Sequence, residues 1–400
     1  MDPLLTAHAL DWLHLVVRWL HITAAIAWVG ASFYFIALDQ SLGPAADGGA
    51  DTGVGGEAWE IHGGGFYRIE KFRVAPARLP ASLRWFKWEA YLTWLSGFAL
   101  MVLLYYVDPR TFLIDPQVRD LDPAVAVAAS LAILGLGWVA YDRLARALPD
   151  RPLALAAAIA ALVVAVVWLS TQLFSARAAY IQAGAALGTW MAANVLFTII
   201  PGQRELVAAK TAGREPDPLP GLRGKQRSVH NNYLTLPVVL AMISQHFPFT
   251  YGHAYGAPIL LALMAAGVMI QHYLNTRHAG EPEPSLLFGA AGVVLVIALL
   301  TAPSLAPAEP LTGAELAAAR QVFVTRCTAC HAERPTDVEF TAPPKGLVLT
   351  SAERIRANAR DIYQQVVVTR VMPLGNRTGM TQEERDLISR WFRSGAPPLP

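Results

Sequence analysis

Apolar runs of about 20 residues, the length that crosses roughly 30 Å of hydrocarbon, recur eight times along the chain. They lie near residues 10–38, 86–107, 123–141, 153–173, 179–200, 229–246, 253–273 and 285–302. The third, fourth and eighth are almost pure Ala, Leu and Val, whereas the first, second, sixth and seventh contain ionisable residues. Lipid does not tolerate such groups, so those four runs are expected to turn a face inward. A soluble helical protein is excluded because eight such runs leave too little polar surface to cover them. The pattern changes after residue 302. APSLAPAEPL (302–311) reads as a short stiff tether, and three short amphipathic segments follow near 313–326, 351–370 and 382–394. Thr312 with Glu315, and Thr381 with Glu384, fit capping boxes at two of their starts. The expected architecture is all-α: a polytopic eight-helix transmembrane bundle over residues 1–302, a linker over 303–311 and a small helical domain over 312–400.

Composition agrees. Hydrophobic residues make up 54% and charged residues 16% of the 400 residues, with a mean hydropathy of +0.36. Soluble proteins carry about 25% charged residues, so a disordered chain is excluded and a simple cytosolic enzyme disfavoured. A net charge of +2 implies no nucleic-acid partner. The placement of Lys and Arg says more. Loops after the first, third, fifth and seventh runs hold fifteen, whereas residues 1–9 and the loops after the second, fourth and sixth hold three: Arg110, Arg119 and Arg177. Basic loops stay inside, so both termini are expected outside. The first run lacks a basic n-region and a small-residue cleavage pattern, so it reads as a retained span.

Cys327-Thr328-Ala329-Cys330-His331 is a C-x-x-C-H motif. Its chance occurrence in a chain this long is on the order of one in a thousand. Two thiols at this spacing add across haem vinyl groups, and the adjacent His ligates the iron. A zinc site lacks a second ligand pair, and a thioredoxin-like motif would need a βαβ pattern that is absent here. Met372, followed by Pro373 in an irregular stretch, is the favoured sixth ligand. Met380, just before the Thr381 cap, reads as a packing residue. Ile388, Trp391 and Phe392 give the last segment an apolar face. These features predict one covalent haem c, held by Cys327, Cys330, His331 and Met372, in a small class I c-type cytochrome domain. Covalent haem attachment takes place outside the bacterial inner membrane, which agrees with the loop charges. The expectation is a multi-pass protein of that membrane with both termini and the cytochrome domain periplasmic.

The first run carries His14, Arg18, His21, Trp28, Ser32 and Phe35 on one helical stripe. Arg18 and His21 lie about 12 and 16 Å along the helix, inside the hydrocarbon. The second run places Lys87, Tyr91, Trp94, Phe98, Met101 and Tyr105 on a comparable stripe, with Glu89 on an adjacent face. His230-Asn231-Asn232-Tyr233 opens the sixth run, Asn194 lies in the fifth and His272 ends the seventh. His62 precedes Gly63, Gly64 and Gly65 in the first inner loop, where missing side chains would let backbone N–H groups approach a ligand. Plainer readings stand beside these. Lys87 can snorkel to the interface, His272 suits a helix end, and a glycine triplet is a common turn.

RWLHITAAIAWVGASFYFIALD (18–39), WEIHGGGFYRIEKF (59–72), WFKWEAYLTWLSGF (85–98), RSVHNNYLTLPV (227–238) and the terminal C-x-x-C-H domain together resemble the membrane-integral cytochrome c urate oxidase, or urate hydroxylase, family. The resemblance covers nearly the whole chain. Over a shorter stretch the first run is similar to haem-binding helices of the protoporphyrinogen-oxidase and copper-resistance groups. The main resemblance implies that urate is oxidised to 5-hydroxyisourate in the membrane domain. Electrons would pass to the fused haem c and on to a downstream cytochrome c or terminal oxidase. Urate is a planar anion near neutral pH, so Lys87, His230, Asn231, Asn232 and the aromatics Trp88, Tyr91 and Trp94 are the expected site, with His62, His230 or Glu89 as base. Arg18 and His21, with Tyr91 and Trp94, are expected to bind substrate or to relay electrons, and a haem b on His21 would supply such a relay. Two alternatives remain: a membrane-anchored haem c electron-transfer subunit without urate chemistry, and a purine transporter with a fused redox sensor.

Overall fold

The structure, a computed structural model, describes residues 3–45, 53–302, 309–337, 340 and 342–400, the side chains of 3, 4, 6 and 7 aside. In chain order the elements are α1 (Pro3–Ser41), β1 (Val54–His62), β2 (Gly65–Phe72), α2 (Trp88–Met101), α3 (Pro109–Phe112), α4 (Pro116–Arg119), α5 (Pro123–Ala147) and α6 (Pro152–Leu173). They continue with α7 (Ala176–Asn194), α8 (Ile200–Thr211), α9 (Pro218–Ile243), α10 (Pro248–Tyr251), α11 (Gly256–His278) and α12 (Ser285–Leu300). The C-terminal unit holds α13 (Gly313–Arg326), α14 (Ala352–Ala357), α15 (Ala359–Ile362) and α16 (Gln382–Arg393). Single π turns carry α2 on to Tyr106 and join α7 to α8.

Helix starts follow local chemistry. Proline opens α5 and α9 behind Asp122 and Asp217, whose carboxylates accept from the free N–H groups of the first turn. Proline lacks the N–H that would go unpaired there, so it suits the position. Ser175 caps α7 in the same way, and both predicted capping boxes, Thr312 with Glu315 and Thr381 with Glu384, are formed.

All eight apolar runs are helical, yet among the described residues six helices are long and apolar enough to cross a membrane: His8–Ser41, Trp88–Tyr106, Pro123–Ala147, Pro152–Leu173, Ala176–Thr211 and Gly256–His278. The other two fall short for different reasons. The sixth run is the apolar half of α9, whose first turns, PLPGLRGKQRSVHNN, are polar. The eighth is α12, with 16 residues, about 24 Å at 1.5 Å per residue.

The all-α expectation also needs correction, because β1 and β2 form an antiparallel hairpin with His62 opposite Gly65. Gly63 (φ +57°) and Gly64 (φ +82°) make its turn. Two consecutive left-handed residues match the twist of the flanking strands, and glycine adopts them without strain. The glycine triplet therefore shapes a turn and is not an open loop.

The main core gathers on α7, where Tyr180, Leu187 and Trp190 are buried among neighbours from α5, α6 and α9. Small residues set the close approach: a Cβ on Gly184 would stand 2.8 Å from that of Ala241, and one on Gly267 3.3 Å from that of Leu236. A second core in the C-terminal unit collects Phe323, Ile355, Met380, Ile388 and Trp391, with Phe323 edge-on to Trp391 at 5.5 Å. The two units touch through backbone at two points, and Gln117 Nε2 also donates to the Met380 carbonyl at 2.5 Å. The Thr369 carbonyl lies where a Cβ on Gly252 would be, and a Cβ on Gly375 would meet the Thr111 carbonyl oxygen at 2.8 Å.

Candidate functional site

Consecutive residues on a helix point about 100° apart, so His230, Asn231 and Asn232 reach different neighbours of α9. His230 Nδ1 lies 2.8 Å from the Tyr141 hydroxyl of α5. Asn194 of α7 donates from Nδ2 to Tyr141 Oη and to Asn231 Oδ1, both at 2.9 Å, and Asn231 Nδ2 donates to the Met191 carbonyl at 3.0 Å. Asn232 Oδ1 accepts from Gln271 Nε2 (3.1 Å) and Asn275 Nδ2 (2.9 Å) of α11. Alongside, Tyr233 Oη and His272 Nδ1 are 2.6 Å apart. One turn before His230, Arg227 donates from Nη2 to Asp142 Oδ1 at 2.8 Å and lies over the Tyr141 ring at 5.1 Å. That ring stacks on Trp190, centroids 5.3 Å apart and planes 7° from parallel.

Buried polar atoms are ordinarily bonded, because an unmade bond costs about 1–3 kcal/mol. Here several are not. Among the described residues Trp190 Nε1, Asn194 Oδ1, Asn232 Nδ2, Gln271 Oε1 and Arg227 Nη1 have no hydrogen-bond partner, and each belongs to a residue at most 4% exposed. They fall in two places: Trp190 Nε1, which faces Gly137 of α5, Asn194 Oδ1 and Arg227 Nη1 lie around Tyr141, and Asn232 Nδ2 and Gln271 Oε1 lie between α9 and α11. Two clefts, of about 330 Å³ between α13 and α16 and about 180 Å³ beside Tyr180 and Phe247, lie elsewhere.

The other predicted residues divide. Glu89, in the first turn of α2, has a buried Oε2 without a partner, and Lys87 lies 5.7 Å from the Trp88 ring. Tyr91 packs beside Ala90, Val195 and Ile200. Trp94 donates from Nε1 to Thr189 Oγ1 at 3.1 Å and stacks on Phe98 at 5.3 Å. His21 Nδ1 faces the Thr93 carbonyl at 3.0 Å and Ser96 Oγ at 3.2 Å, and a Cβ on Gly97 would stand 2.8 Å from its ring. Arg18 is exposed on the surface of α1, and His62, also exposed, stands at the hairpin turn apart from the network around His230.

Reading runs and stripes missed Tyr141, Asp142, Trp190, Arg227, Gln271 and Asn275. A usable signal existed in Gln271 and Asn275, two amides four residues apart where α11 leaves its apolar stretch. In the C-terminal unit, Cys327 caps the end of α13 and Cys330 lies in the turn after it, with no disulfide between them. Cys327 is partly exposed as a residue, but enclosure of its sulfur pushes the thiol up to about 12. His331 Nδ1 lies 3.0 Å from the Leu347 carbonyl. A carbonyl only accepts, so Nδ1 carries the proton and Nε2 keeps the lone pair. Met380 is fully buried in the core, whereas Met372 only packs against its edge. No cluster of three or more His, Cys, Asp or Glu suited to a metal ion occurs among the described residues.

No curated protein and no solved structure matches the chain. Residues 7–302, which contain the whole polar network, match the family described as urate oxidase N-terminal, and the chain belongs to that family.

Proposed function

We propose that the protein is a membrane-embedded urate oxidase that forms 5-hydroxyisourate and passes the electrons to a haem c on its C-terminal unit. The observation that carries this is the set of unpartnered buried groups around Trp190, Asn194, Arg227, Asn232 and Gln271. Urate is flat and anionic, with N–H donors and carbonyl acceptors around its edge. Asn194 Oδ1 and the Arg227 cation beside Tyr141 offer an acceptor and a positive charge to such an edge, and Asn232 Nδ2 with Gln271 Oε1 offers a donor–acceptor pair between α9 and α11. Oxidation of the urate anion removes two electrons and one proton, after which water adds to the ring. Asn194 donates to the Tyr141 oxygen, and with the His230 proton on Nε2 the Tyr141 hydroxyl donates to His230 Nδ1. The Tyr141–His230 pair then accepts a proton from the substrate. Glu89 and His62 are secondary as bases, since they lie outside this pair.

The C-terminal residues fit a c-type haem: two thiols one turn apart, an imidazole whose Nδ1 is tied to Leu347 and Met372 at the edge of the core. Bound there, the group would supply a one-electron acceptor. The chain's own part is to hold a path toward it. Trp94, Phe98 and Tyr106 form consecutive ring contacts of 5.3 and 6.4 Å along α2, and Tyr105 contacts Phe112 at 6.3 Å. Phe112 lies beside Thr111, whose carbonyl meets Gly375 of the C-terminal unit. His21 next to Gly97 would hold a haem b if one were present. The basic loops support a bacterial inner-membrane protein with both termini and the C-terminal unit periplasmic.

Urate added anaerobically to the oxidised full-length protein from a cytochrome-maturing host tests the proposal. Reduction of the haem is expected, and a haem that stays oxidised overturns it. Turnover of urate by the purified single chain with an artificial acceptor separates it from an electron-transfer subunit.

A further inference from the structure

The loop joining α1 to α2 is not a free projection. Phe35 of α1 packs on Phe86 at 4.8 Å while His21 packs on Thr93, so the two helices are antiparallel and Phe35 marks the level where α2 begins. From there the hairpin folds back along α1. Gly43 and Glu57 exchange backbone bonds of 2.9 and 3.0 Å, Lys71 pairs with Asp39, and Tyr34 donates to Glu60 Oε2 at 2.7 Å. Glu57 near the base meets Gly43, just past the end of α1, and Glu60 nearer the tip meets Tyr34 within α1. Two strand residues beyond Glu60 add about 7 Å at roughly 3.3 Å per residue. The turn therefore reaches about the level of Gly30, some 7 Å inside the start of α2 at about 1.5 Å per residue.

β1 alternates in burial from Val54 to Trp59, whereas Phe66, Tyr67 and Arg68 of β2 are all exposed. Val54, Gly56 and Ala58 are buried on the α1 side, where Glu60 bonds Tyr34. The opposite face shows Trp59 and Ile61 with the cross-strand partners Arg68 and Phe66. Trp59, Ile61 and Phe66 are 63, 68 and 77% exposed, far more than a water-facing strand tip normally leaves bare. Arg68 lies 5.9 Å from the Trp59 ring but is paired with Glu57 at 2.9 Å and Glu70 at 3.0 Å, so the excess of cations comes from Arg73, Arg78, Arg84 and Lys87 on the way into α2. Exposed aromatic side chains at the boundary level of a helix bundle, followed in the chain by four cations, match the headgroup region of an anionic leaflet.

We propose that the hairpin is an interfacial anchor, its Trp59–Ile61–Phe66 face sunk at the headgroup boundary of an anionic leaflet. This rests on the reading that the long helices cross a bilayer. The test places the photocrosslinker p-benzoylphenylalanine at Phe66, or at Phe288 of α12 as a control, in the full chain. The protein is illuminated in nanodiscs of mixed phosphatidylglycerol and phosphatidylcholine, and adducts are read by mass spectrometry. Lipid adducts are expected at both positions, with phosphatidylglycerol enriched about twofold or more at position 66 alone. Lipid at 288 with a protein adduct or none at 66 overturns the anchor and spares the membrane reading. Lipid at 66 without enrichment overturns its anionic preference. Lipid at neither position overturns the membrane reading itself.

Discussion

The Tyr141 hydroxyl stands 2.8 Å from His230 Nδ1, and the same ring lies flat on Trp190. Tyr141→Phe keeps the stack and deletes the proton-bearing contact. Urate turnover is expected to fall about 10²-fold, within the range for a lost acid–base contact, while unfolding shifts by only about 1 kcal/mol. Steady-state urate consumption and a thermal melt read the two effects separately, and undiminished turnover would remove Tyr141 from the proton path.

Arg227 and Asp142 pair at 2.8 Å, their side chains 3% and 13% exposed. Arg227→Met leaves Asp142 with only Arg146, whose side chain is 63% exposed. A buried pair broken from one side costs about 3–5 kcal/mol, so a clear drop in melting temperature is expected. Arg227→Met combined with Asp142→Leu should recover most of it while still weakening urate binding, as measured by equilibrium titration.

Much of this was legible in the chain and some was not, for physical reasons. Helix-length apolar runs, the capping boxes at Thr312 and Thr381 and the amides at 231 and 232 are local patterns that one window can reveal. Tyr141, Trp190 and Arg227 matter through which helices meet, and no spacing within one helix encodes that. The hairpin carried its own signal in Gly63-Gly64 between alternating strands, but a search for long apolar runs passes over period-two segments. His62 belongs to that turn, which is why its glycine neighbours suggested an open loop.

Trp94 heads the ring contacts along α2. Trp94→Leu is expected to slow urate-driven haem reduction at least about tenfold, each ~1.4 kcal/mol of added barrier being one factor of ten. Urate affinity should stay within about twofold. Anaerobic stopped-flow at the haem band measures the first, and a direct titration the second. Equal loss of both would place Trp94 against the substrate instead.

Met372→His should lower the haem potential by on the order of 0.2 V, part of the roughly 0.8 V that axial ligands span. Met380→Leu should move it far less, since Met380 fills the core. A redox titration of each variant decides between the two methionines.

The Glu315 carboxylate accepts from the Thr312 N–H and from Arg390, and these bonds hold its pKa below the usual 4.5. A depressed carboxylate contributes stability above the unfolded value and loses it as pH falls through the folded one. The C-terminal unit should therefore melt at progressively lower temperature below about pH 4.5, and Glu315→Gln should flatten that slope. A melt series from pH 6 to pH 3 checks it.

Where Gly252 meets the Thr369 carbonyl and Gly375 that of Thr111, no side chain intervenes at those two points. A head seated this closely on its own base has no diffusional search to make. Any exchange between the halves is then unimolecular, indifferent to protein concentration and to solvent viscosity. A bulky residue at either glycine would act as a wedge, turning an intramolecular handover into an occasional collision.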